Sequence, residues 1–202
     1  TQCHFREPGG EHKETIQTGT MSAALGGIVG IFEMPNTNPL TTTPEALEHK
    51  IKRGTETAYT DFAYYFGGTF ENSKNLPLWE KLDGVCGIKI FMGASTGNLL
   101  SATDEEVEAV VANGNRVIAV HAEDEFLMNE NKKTILKDSN DVGMHCKWRD
   151  VNSSLNATKR VVSLAKKHNR HVHVLHITTA DEMDFLRNHK DTATVEVLPN
   201  HL

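Results

Sequence analysis

Six short apolar runs, at 28–34, 61–67, 85–91, 116–121, 171–177 and 193–198, alternate along this chain with segments of helical pattern. A run that short, apolar through its middle and bounded by turn residues reads as a strand buried on both faces. Neighbouring parallel strands need a crossover between them, and a helix is the usual one, so this alternation implies a parallel sheet with helices packed outside it. The opening stretch, TQCHFREPGG, adds a seventh strand that ends in a Pro-Gly-Gly turn.

The helical segments carry their own punctuation. Thr43-Pro44 supplies a cap and a first-position proline for a helix over 45–57, and Thr103 with Glu106 forms a capping box ahead of Val107, Val110 and Val111. Further helices are expected over 11–25, 76–82, 155–167 and 180–188. The polar stretch 134–152 reads as one long loop. Alternation alone fits both a doubly wound sheet and a barrel. The unusual polar residues lie at the C-terminal ends of several different strands, where barrels build their sites, whereas an open sheet binds only around one switch point. The expected fold is therefore α/β, a (β/α)8 TIM barrel forming one domain over residues 1–202, with strands one to seven inside the chain.

The net charge of -6 and the lack of a basic run give no electrostatic case for nucleic acid. Small molecules are the expected partners. Cys3, Cys86 and Cys146 are widely spaced and odd in number, which argues against a disulfide framework and for a reducing, cytoplasmic setting. No apolar segment approaches the roughly 18 residues of a membrane span, so no membrane association is expected.

Side chains two apart on a strand share a face. His121 extends the row Val117 and Ala119, His176 the row Val172 and Val174, and Lys89 the row Val85 and Gly87. Singly, each histidine reads equally well as a hydrogen-bonded strand end, and Lys89 as a snorkelling amine. Together with His4, they suggest imidazoles converging at strand ends, as a zinc-type site needs. By parity, His171 and His173 face the helices. Glu123, Asp124 and Glu125 read as the acidic first turn of a helix. His145, Lys147 and Arg149 lie in the long loop, from which they could reach a substrate, but a solvated loop is the preferred reading. GASTGN lacks the GK[ST] ending of a phosphate loop.

HFREPGG at His4, MPNTNP around Asn36, GIKIFMGASTGN around Lys89, AVHAEDE around His121 and HVLHITTADE around His176 resemble, in order, the motifs of dihydroorotases of the amidohydrolase superfamily. The resemblance implies a zinc-dependent cyclic amide hydrolase interconverting dihydroorotate and N-carbamoyl-L-aspartate in pyrimidine biosynthesis. It implies His4, His121 and His176 as metal ligands, Lys89 as a lysine carboxylated on its amine to bridge one or two zinc ions, and Arg6 and Asn36 as the groups that receive the substrate carboxylate. The alternative for Arg6 is a surface ion pair with Glu7.

Two departures qualify this resemblance. Gln2 stands where the family places the first histidine of a pair, and an amide oxygen is the weaker ligand. The family's eighth strand, whose aspartate acts as the base, and its small flanking β domain fall outside these 202 residues, so no catalytic base is assigned here. A barrel wall open at both edges favours association into a homo-oligomer. The alternatives are a non-catalytic scaffold, or another cyclic amidohydrolase such as an allantoinase.

Overall fold

The computed structural model describes residues 2–94, 97–136 and 141–201. Its strands are β1 (Gly30–Glu33), β2 (Asp61–Gly67), β3 (Val85–Phe91), β4 (Ile118–His121), β5 (Val172–Val174) and β6 (Ala193–Val195), joined into one sheet in that order. Every pairing is parallel. Sequential order with no reversal leaves no switch point, which separates a barrel wall from a doubly wound sheet.

The opening stretch contributes less than a full strand. Cys3 forms a single parallel bridge to Glu33, with Cys3 N–H donating to the Phe32 carbonyl at 3.0 Å and Met34 N–H to the Cys3 carbonyl at 2.9 Å. Beyond it the chain is drawn outward. The buried Glu7 carboxylate accepts from Ile16 N–H at 2.7 Å and pairs with Arg53, so it anchors the stretch to the start of one helix and the later turns of another rather than to the sheet. These are α1 (Ile16–Leu25) and α2 (Pro44–Thr57).

The other helices are α3 (Leu76–Trp79), α4 (Asp104–Val111), α5 (Glu125–Ile135), α6 (His145–Trp148), α7 (Val151–Lys167) and α8 (Ala180–Leu186). The expected caps are present: Thr43 Oγ1 accepts from Ala46 N–H, and Thr103 and Glu106 bond reciprocally. The described residues of the segment read as one loop over 134–152 are mostly helical. α5 runs to Ile135, α6 follows a short 3-10 turn, and Asp150 caps α7 by accepting from Ser153 N–H at 2.9 Å. Residues 137–140 of that segment, like Ser95 and Thr96 of GASTGN, lie outside the described residues.

The sheet separates two apolar layers. On its outer face Ile88, Ile90, Ile118, Val120, Val172 and Val174 pack in one cluster with Val107, Val110 and Val111 of α4 and Ala157, Val161, Val162 and Ala165 of α7. Full burial of each Ile or Val side chain contributes about 1.5–3 kcal/mol. The inner face holds a smaller cluster of Met34, Tyr65, Ala119 and Leu175. Registered neighbours run Gly67, Lys89, Ala119, His173 and Thr194 across β2 to β6. Partners in register share a face, so His173 belongs to the inner face with Lys89 and not to the helix-covered side that strict alternation from His176 suggests. Among the described residues, no helix is long and apolar enough to cross a membrane.

Candidate metal centre

His121 is the last residue of β4, and His176 follows β5 by two residues. His176 has φ +40°, an uncommon value for a non-glycine residue. The turn it makes brings its Nε2 to 3.0 Å from His121 Nδ1, with the ring centroids 4.8 Å apart. On the far side of the first ring, His121 Nε2 lies 2.6 Å from Glu123 Oε2. A carboxylate only accepts, so Nε2 carries the hydrogen and the neutral ring keeps its Nδ1 lone pair facing His176. Burial pushes the His176 pKa down to about 3, with the neighbouring His121 and Lys89 adding to the effect; burial also lowers His121. Both rings are thus neutral at pH 7, the form that ligates metals.

Lys89 lies one register step from Ala119 on the inner face, 1% exposed, and its Nζ has no hydrogen-bond partner among the described residues. The nearest stabilising feature is the Phe91 ring, whose centroid is 4.4 Å away. Burial holds the amine well below its ordinary pKa, against a weaker opposing pull from Glu196. A buried polar group with no partner costs about 1–3 kcal/mol. Carbon dioxide adds only to a neutral amine, which is the form this environment favours.

His4 is held from the neighbouring loop. Its Nδ1 donates to Asn36 Oδ1 at 2.7 Å, which leaves Nε2 as the lone-pair nitrogen, and the Gln2 amide nitrogen lies 3.4 Å from it. The Gln2 Oε1 is buried without a partner. Burial, partly offset by the Asn36 bond and aided by smaller contributions from the neighbouring basic groups, brings the His4 pKa down to about 4. The loop carrying Asn36 is tied to the opening stretch by Asn38 N–H donating to the Pro8 carbonyl at 3.0 Å. Arg6 is exposed and makes no side-chain hydrogen bond or ion pair among the described residues, while Glu7 is taken by Arg53 and Ile16. The Arg6–Glu7 surface pair is therefore not formed, and the guanidinium is uncommitted.

A cavity of about 560 Å³ opens over His121 and His176, with Glu123, His145, Arg149 and Glu182 among the residues that line it. His145, which is exposed, and the half-buried Arg149 lie at the start and just past the end of the short α6, at this cavity and within reach of a ligand; Lys147 is exposed and not in its walls. Glu123 was read as part of a capping turn, but Asp124 alone is the cap of α5, accepting from Phe126 and Leu127 N–H. Glu123 points the other way, to His121 and Arg149. Nothing local in the sequence set Glu123 apart from its acidic neighbours or marked Arg149.

These donors fit a zinc ion. Two neutral imidazoles converge on one point, a carboxylate backs one of them as metal-bound histidines require, and an orphaned amine suited to carboxylation lies nearby. No group of three or more His, Cys, Asp or Glu side chains arranged for a metal occurs among the described residues.

Residues 1–182 match a family profile described as Dihydro-orotase-like. The chain is 31% identical over 207 residues to a dihydroorotase of Methanosphaera stadtmanae, covering 100% of this chain and 47% of that protein. It is 33% identical over 211 residues to a dihydroorotase of Methanosarcina acetivorans, with 98% and 44% covered. It therefore spans less than half the length of the relatives it matches. Among solved structures, an L-hydantoinase (dihydropyrimidinase) from Arthrobacter aurescens superposes with a TM-score of 0.82 at 28% identity, over 91% of this chain and 42% of that one. A D-hydantoinase with a TM-score of 0.83 at 24% identity shares the fold. The sequential parallel wall, the histidines at its strand ends and the match over residues 1–182 make this chain a member of the dihydroorotase-like family.

Proposed function

We propose that this chain belongs to a zinc-dependent cyclic amide hydrolase of dihydroorotase type, which interconverts dihydroorotate and N-carbamoyl-L-aspartate in de novo pyrimidine biosynthesis. The observation that carries the proposal is the His121–His176 pair, 3.0 Å apart, beside the partnerless buried amine of Lys89. His121 Nδ1, His176 Nε2, His4 and a carboxylated Lys89 would hold the metal. Bound zinc supplies Lewis-acid polarisation of an amide carbonyl and acidifies water. Arg6 offers a planar two-pronged donor that suits a carboxylate, which dihydroorotate has and a simple hydantoin lacks. Asn36 fixes the ring of His4 through Nδ1 and keeps an amide donor for the same carboxylate.

The test is turnover by the intact protein supplied with zinc and bicarbonate. Dihydroorotate is expected to be consumed, and Arg6→Ala to raise its KM by about 10-fold or more, the loss of a charged hydrogen bond. Opening of hydantoins with dihydroorotate left unchanged would overturn the substrate assignment. Gln2 beside His4 favours a second reading, a non-catalytic scaffold. That reading expects the intact protein to bind little zinc under the same conditions.

A further inference from the structure

We infer that Arg149 is a positioning residue that acts through Glu123 to set the orientation and tautomer of His121, readying the His121–His176 pair for zinc. The inference rests on the proposed function for its metal. The relay itself is a feature of this chain's own side chains.

Arg149 Nε donates to Glu123 Oε1 at 2.8 Å and Nη2 donates to Oε2, so the guanidinium grips both oxygens in one plane. Oε2 is the oxygen that also receives His121 Nε2–H. All three side chains are mostly desolvated, at 24% exposed for Arg149, 12% for Glu123 and 16% for His121. Water therefore competes weakly for these bonds, and charge-assisted pairs are strongest under such conditions. The backbone at each end is fixed. Arg149 follows the last residue of α6 and its N–H donates to the His145 carbonyl at 3.1 Å, while Asp150 next to it caps α7. Glu123 leads directly into Asp124, the cap of α5. A carboxylate held at both oxygens cannot rotate away from His121. The ring hydrogen stays on Nε2, and Nδ1 faces His176 Nε2.

Arg149 lines the cavity, so a direct role in binding a substrate anion is the competing reading. Two of its five N–H donors, Nε–H and one on Nη2, are engaged by Glu123, which makes it the support of a ligand, while Arg6 has no side-chain partner among the described residues.

The test uses metal-free and zinc-titrated intact protein. Long-range nitrogen–proton NMR reads the tautomer of His121, and competition with a chromophoric chelator reads zinc affinity. The wild type is expected to show a single Nε2–H tautomer. Arg149→Met is expected to mix the tautomers and weaken zinc binding about 10–100-fold, the usual cost of losing an outer support, with Arg149→Lys recovering part of it. Glu123→Gln, which keeps the shape, gives a sharper result if Arg149→Met does not fold. Its one amide oxygen is expected to turn to Arg149, so the amide nitrogen faces His121 and inverts the tautomer to Nδ1–H. A wild-type tautomer and wild-type zinc affinity in Arg149→Met would overturn the inference whatever Glu123→Gln shows, and where Arg149→Met does not fold a wild-type tautomer in Glu123→Gln would overturn it. Absence of zinc binding by the wild type would sink the proposed function, and the metal-free tautomer comparison would still decide the role of Arg149.

Discussion

Replacing Lys89 with methionine separates what this residue costs the fold from what it could contribute to the site. Methionine is similarly long and unbranched, and its sulfur suits the Phe91 ring that Lys89 Nζ now approaches at 4.4 Å. In the unfolded chain a lysine holds its proton up to a pKa of about 10.4. In the fold, burial lowers that pKa well below 10.5. Between the two values the unfolded state binds one more proton than the folded state, so folding releases it and stability rises with pH. One whole proton corresponds to a slope of about 1.4 kcal/mol per pH unit, or about 2.7 kcal/mol between pH 8 and pH 10. Lys89→Met lacks that slope. The variant is expected to be the more stable protein at pH 8 and to lose up to that amount of its lead by pH 10. Urea unfolding of both proteins, in chelator and in buffers free of carbon dioxide, measures the difference. Titration of Cys86, Tyr64 and Tyr65, whose pKa values burial raises, is common to both proteins and cancels. A lead that stays constant with pH would refute the reasoning, since it would mean that Lys89 keeps its proton in the fold. The same variant is expected to bind zinc far more weakly.

Two further substitutions test the supports of the site. Thr103→Ala removes the capping box of α4, with an expected cost of about 1 kcal/mol and a melting temperature about 2–4 °C lower by circular dichroism. Gly93→Ala places a Cβ where it would meet the Glu123 carbonyl oxygen at 2.5 Å. Because that neighbour is backbone, Glu123 must move, and a loss of about 1–3 kcal/mol in urea unfolding is expected together with weaker zinc binding; an unchanged zinc affinity would show that Glu123 tolerates the shift.

Some of this structure was legible in the residues because local rules had nothing to compete with. The runs 61–67 and 85–91 coincide with β2 and β3, since both are apolar, bounded by turns and paired on both sides. The Thr103–Glu106 box marks the start of α4 because its two hydrogen bonds depend only on residues three apart. The opening stretch was harder. Its alternation suits a strand, but Glu7 is committed to Ile16 and Arg53, and those long-range bonds leave a single bridge at Cys3. Glu123 was obscured by Asp124 and Glu125. Three consecutive acids before a helix look alike, and only the position of Arg149, brought close by the folding of α6 and α7, distinguishes the one that turns inward.

The end of β5 exposes the limit of strand parity as an argument. Alternation groups His176 with Val172 and Val174, and those valines lie on the outer face against α4 and α7. Had the strand continued with regular geometry, His176 would have pointed under the helices, and His173 and Leu175 would be the inner residues, as they are. Instead β5 stops at Val174 and His176 adopts φ +40°. A left-handed conformation at a residue with a side chain costs roughly 1–2 kcal/mol, and such strain persists only where the surroundings over-determine it. Here those surroundings include the His121 ring, with its Nδ1 at 3.0 Å and the ring centroids 4.8 Å apart. The feature that brings the second imidazole to the first is therefore a backbone conformation that apolar patterning cannot reveal. Its cost is concentrated at the one place where the two candidate ligands meet.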